Sequence, residues 1–156
     1  MKLARTGVIA AAILAIATVA YAQKPDFSGS WTPDAPAAGA EGGGRRGGGM
    51  GGPMMVKQTA DTLTIERQMG GNAVTTTYKL DGTEIENKVN MRGNEVVQKS
   101  SAKWDGAKLV ITTKSAGPDG QERAQSQTWS LEGGNLTIER PGRDGAVNKT
   151  VYKKTT

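Results

Sequence analysis

The chain has 156 residues, a formal charge of +5, no cysteine and no histidine. That length suits one domain of ordinary size. The two absences exclude Ser-His-Asp and Cys-His catalysis, histidine or cysteine metal sites, disulfides and a charge switch near neutral pH.

Residues 1–22 read as a cleaved signal peptide. Of these, 17 are hydrophobic, against about 29% of the remainder, and removing the segment lowers the charge to +3. Lys2 and Arg5 form a positive start, Val8 to Val19 carries no charge, and Ala20-Tyr21-Ala22 offers small residues at the cleavage positions, with Gln23 next. No cysteine follows for lipid attachment, and no twin-arginine pair precedes the apolar run. The expectation is a periplasmic or secreted protein with no integral membrane segment after processing.

Residues 23–34 hold a first strand, around Phe27-Ser28-Gly29-Ser30-Trp31. Residues 35–53 then include nine glycines, two prolines and the pair Arg45-Arg46. So little apolar surface cannot offset the entropy of ordering, so this stretch is expected to be a flexible loop. One arginine pair without an aromatic is a poor nucleic-acid signal. Arg45 and Arg46 are the candidate contacts to an anionic envelope component.

Residues 54–156 continue the same domain as strands between tight turns. Leu63 and Ile65 alternate with Thr64 and Glu66, and Val74, Thr76, Tyr78 and Leu80 share one side of the next run, the period of half-buried strands. Asp81-Gly82, Asp105-Gly106 and Gly133-Gly134 are turn signals. Strands are expected near 28–33, 55–60, 62–68, 73–80, 83–90, 94–103, 107–114, 121–131, 135–140 and 146–154. No helical period follows residue 22, and fifteen threonines there favour strands. The fold class is all-β, a single up-and-down antiparallel meander of about 8–10 strands. Closing such a sheet on itself removes exposed edges. Leu63-Thr64-Ile65-Glu66-Arg67 recurs as Leu136-Thr137-Ile138-Glu139-Arg140. The simpler explanation is a meander reusing a good strand sequence rather than a repeat architecture.

Phe27-x-Gly29-x-Trp31 resembles the opening of lipocalins and intracellular fatty-acid-binding proteins, whose Gly-x-Trp tryptophan plugs the closed end of a β-barrel. Thr150-Val151-Tyr152-Lys153-Lys154 resembles the last strand of the fatty-acid-binding group. The whole chain is similar to small secreted bacterial proteins of uncharacterised function that begin Asp-Phe-Ser-Gly-Thr-Trp and end in Val-Tyr-x-Lys. The resemblance implies a lipocalin-like barrel, its closure left open, with a ligand inside. Two departures stand out. The glycine stretch occupies the place of the two-helix lid, and Thr150 replaces the arginine of the Arg-x-Tyr pair that holds a ligand carboxylate, which removes a bidentate, charge-assisted anchor.

The candidate ligand-binding residues of the barrel interior are Trp31, Tyr78, Trp104, Trp129 and Tyr152; the competing role for the tryptophans is core plugging. Arg67 and Arg140 share a side with the inward leucines and isoleucines. Near strand ends they are expected to snorkel into solvent, the alternative being an anion held inside. Glu84 and Glu86 read as solvated outer-face carboxylates rather than an acid/base pair. No catalytic residue, metal ligand or cofactor motif is identified. The function expected is a non-enzymatic exported protein binding a small apolar or amphipathic molecule, the alternative being a ligand-free interaction module of the envelope.

Overall fold

The computed structural model describes residues 24–34, 52–69, 71–91, 94–117, 120–142 and 145–155. The expected signal peptide and Arg45 and Arg46 lie outside them. Ten strands follow one another: β1 (Gly29–Pro33), β2 (Met54–Gln58), β3 (Thr62–Met69), β4 (Asn72–Lys79), β5 (Ile85–Met91), β6 (Asn94–Asp105), β7 (Lys108–Ala116), β8 (Glu122–Glu132), β9 (Asn135–Pro141) and β10 (Val147–Thr155). Each lies within two residues of its expected span. Glu132 and Asn135 close the β8–β9 hairpin, and Gly133 and Gly134 between them take φ of 58° and 83°, the two left-handed positions that a two-residue turn requires. Among the described residues no helix is long and apolar enough to cross a membrane.

All ten strands form one antiparallel sheet in the order β4-β3-β2-β1-β10-β9-β8-β7-β6-β5. β1 pairs with both β2 and β10, so the two ends of the domain meet side by side. The sheet thereby curls into a nearly closed barrel with a single unsealed seam, where β4 faces β5 without a backbone ladder. Asn87 of β5 spans that seam. Its Oδ1 accepts from the Thr77 N–H of β4 at 2.9 Å, and its Nδ2 donates to the Thr77 carbonyl at 2.8 Å. A side-chain amide thus replaces one rung of the missing ladder. Asn87→Ala is expected to leave both Thr77 groups unsatisfied, lower stability by about 1–3 kcal/mol and speed hydrogen exchange at the Thr77 amide. Unchanged exchange there would show that the rung carries no load.

The floor of the barrel is built from the N-terminal segment. Phe27 stacks on Trp104 at 5.9 Å with planes 9° apart and meets Trp129 edge-on at 5.7 Å and 88°. Trp31 Nε1 donates to the Phe27 carbonyl at 2.8 Å. Gln58 ties the segment down: its Oε1 accepts from Phe27 N–H at 3.0 Å and its Nε2 donates to the Pro25 carbonyl at 3.0 Å. Gly29 has φ of 141°, and a Cβ there would lie 2.5 Å from the Lys154 Cε, part of the side chain whose ammonium covers the Trp31 ring at 5.7 Å. Gly29→Ala is expected to cost about 1–2 kcal/mol through backbone strain, measurable as a lower denaturation midpoint.

The Asp26 carboxylate accepts from the Ser28 N–H at 2.9 Å, and hydrogen bonding from Ser28 holds its pKa below the ordinary 3.8. A depressed folded-state value means stability present above pH 3.8 and lost as pH falls through the lower folded value. With no histidine in the chain, denaturation midpoints are expected to stay level from about pH 5 to 9 and fall below about pH 4. A step between pH 6 and 7 would contradict this.

Candidate functional site

Register carries alternation into depth. On β3, Leu63, Ile65 and Arg67 share the inward face, and they pair with Tyr78, Thr76 and Val74 of β4. On β9, Leu136, Ile138 and Arg140 do the same, with Arg140 opposite Asn148 of β10. The two copies of the Leu-Thr-Ile-Glu-Arg sequence therefore flank β2, β1 and β10, and each directs leucine, isoleucine and arginine into the barrel. The leucines and isoleucines complete the floor and middle layers, all of them buried.

Above them the interior becomes polar. Arg67 does not snorkel free. Among the described residues its Nε is shut off from solvent with no hydrogen-bond partner, and its Nη2 donates only to the Met54 thioether at 3.2 Å, a weak acceptor. Burial pulls the guanidinium below its ordinary pKa; the Tyr152 and Tyr78 oxygens act against that, and the Arg140 charge adds to it. Arg140 donates through both Nε and Nη2 to Gln127 Oε1, each at 3.2 Å. The expectation that both arginines snorkel into solvent is met only in part at Arg67, a half-buried residue whose Nε is shut off from water. Beside Arg140, β8 runs on past Gln127 to Glu122, but those further residues are exposed on both faces, and Arg140 itself is half-buried.

Of the five sequence candidates, Trp31, Trp104 and Trp129 sit in or against the floor cluster with Phe27, with Lys24 Nζ 5.6 Å from the Trp104 ring. The Trp129 Nε1 is buried without an acceptor. Tyr78 and Tyr152 sit in the layer above, buried and close enough to Arg67 to act on its charge. Burial pushes the Tyr78 hydroxyl up, and the Arg67 charge and hydrogen bonds with Thr113 and Thr76 pull the other way. Folding is thus favoured by its protonated form below pH 10.0, and that contribution is lost as pH rises through the raised folded value.

Sequence reasoning missed Gln127, Gln98, Ser100 and Asn87, polar side chains that face the interior. Parity with Trp129, two residues on, was the signal for Gln127. Gln98 and Ser100 are buried on β6, and Ser100 Oγ donates to Thr113 Oγ1 at 3.4 Å. Glu84 is not part of this site: it pairs with Lys114 at 2.7 Å on the exposed surface. Among the described residues no group of three or more acidic side chains gathers as a metal site would.

No family model matches the chain, and no curated protein matches it. Solved structures do. A protein titled REP1-NXSQ fatty acid transporter matches at 14% identity with a TM-score of 0.55, covering 83% of this chain and 96% of that one. Human cRBP IV matches at 19% identity and a TM-score of 0.55, covering 84% and 99%. A point mutant of the fluorescent protein UnaG gives 19% and 0.55 over 83% and 96%. At these identities the likeness is one of fold, that of the fatty-acid-binding-protein-like β-barrels.

Proposed function

We propose that this protein is an exported, non-enzymatic binding protein that takes one small amphipathic molecule into its barrel. The observation that carries this reading is Arg67, a cation in the barrel interior whose Nε–H is buried without an acceptor. A buried, unmet charged donor is costly, and a fold retains one where a ligand completes it. The mixed wall supports an amphipathic rather than a wholly apolar molecule, because Met54, Val74 and Val89 line the interior together with Gln98 and Ser100. Similar barrels in the solved structures include one titled a fatty acid transporter, which favours a binding role over a catalytic one.

Two experiments test the reading. Delipidated protein is titrated with lipids, dyes and small amphiphiles while fluorescence from the floor tryptophans is followed. Saturable one-to-one binding of at least one compound is expected, and none across the panel would reject the function in favour of a ligand-free module. The export half is tested separately, by sequencing the N-terminus of the protein recovered outside the cytoplasm. Gln23 is the expected first residue, and an intact Met1 on cytoplasmic material would reject it.

A further inference from the structure

On the outside, Lys57, Lys88, Lys114, Lys149 and Lys153 each lie within 3.4 Å of a carboxylate oxygen, while Lys24 and Lys154 lie over aromatic rings instead. Inside, Arg67 meets a thioether and Arg140 a neutral amide, and among the described residues neither has a carboxylate partner. Like charges that share an interior without a counter-ion disfavour each other, and an anion between them relieves both. Gln127 grips Arg140 through two donors on one side, which fixes the plane of that guanidinium while leaving its other donors for an oxyanion.

The walls restrict what can be attached to such a head group. Below, Phe27, Trp31 and Trp129 are at most 2% exposed and the Phe27–Trp104 stack closes the floor, which leaves little apolar surface there open to an extended alkyl chain. Among the described residues the buried apolar wall above the floor is Met54, Val74 and Val89 on β2, β4 and β5, with half-buried Val96 of β6 opposite Val89 and the polar Gln98 and Ser100 beyond it.

We propose that the Arg67–Arg140 layer is the head-group site for a compact organic oxyanion, a carboxylate or phosphate ester, whose short or ring-shaped apolar body lies against Met54, Val74 and Val89. This rests on the binding-protein reading above and departs from a long-chain ligand. It also places the anion on strands three and nine, which carry the two inward arginines.

The test titrates the delipidated full chain with phenylacetate, phenyl phosphate, neutral 2-phenylethanol, inorganic phosphate and dodecanoate. Either phenylacetate or phenyl phosphate is expected to bind saturably, at least about ten-fold more tightly than the neutral alcohol, since charge-assisted bonds are the stronger ones. Arg67→Met is expected to weaken that binding about 30-fold or more, and Arg140→Gln about ten-fold. Lys57→Gln, at an exposed pair, is expected to change nothing. Arg67→Met is also expected to melt at a higher temperature than the parent, which separates lost binding from lost folding. Equal affinity for the alcohol, tighter binding of inorganic phosphate than of its ester, or unchanged affinity in Arg67→Met would each overturn the proposal. So would tightest binding by dodecanoate, although the protein would then remain a binding protein. Silence from the whole panel, dyes and lipids included, would remove both readings.

Discussion

Phe27→Ala is expected to destabilise the protein by about 3–5 kcal/mol, the range for removing a buried aromatic ring. The chain has a single phenylalanine, and its ring lies between Trp104 and Trp129, stacked on one and edge-on to the other. Aromatic pairs of this kind contribute roughly 0.5–1.5 kcal/mol beyond area burial. The backbone bonds at this position, N–H to Gln58 and carbonyl from Trp31, survive the substitution, so the loss isolates the ring. Against a total stability of about 5–15 kcal/mol, the variant is expected to be partly unfolded at modest denaturant, with a shifted midpoint and an unchanged slope. Phe27→Leu, which keeps most of the volume, is expected to lose less than half as much. Equal losses in the two variants would mean that ring packing does not hold the floor together.

Arg67→Met is expected to move stability the other way, raising it by about 1–2 kcal/mol in the ligand-free protein. Most substitutions destabilise, so the sign itself is informative. Methionine follows the course of the arginine stem and keeps contact with Met54. It removes both the buried Nε–H without an acceptor and the repulsion from Arg140. A gain in stability on its removal is what the proposed binding role predicts, because a site arranged for a ligand is commonly held at some cost to the fold. The measurement is a pair of denaturation curves without ligand. A destabilised Arg67→Met would make Arg67 a strut of the barrel and remove its claim to a ligand.

The ten strands were legible because alternation, threonine content and Gly-containing turns all act between neighbours in the chain. Leu63, Ile65, Val74 and Tyr78 show their shared face by parity, and register places them as parity requires. Arg67 was misjudged for a specific reason. Parity assigns a side chain to a face of the sheet, whereas its access to water depends on how the sheet curls around it. The neighbours of β3 are no longer than β3 itself, 5 residues in β2 and 8 in β4 against 8, so strand length gives no sign that the Arg67 Nε is shut off. Asn87 was unreadable for a related reason, since its partner Thr77 is its neighbour only after the sheet has curled round.

Local sequence therefore decided the all-β class, the strand boundaries and the turns, because each depends on dihedral preferences and a period of two. The tertiary structure decided the near-closure of the barrel, the amide rung at its seam and the fate of two arginines. On the open edge of an isolated sheet those guanidiniums would be solvated and unremarked. Curling the sheet puts walls around them, withholds water from the Arg67 Nε and supplies no carboxylate, and that change of surroundings turns two strand-end cations into a candidate anion site.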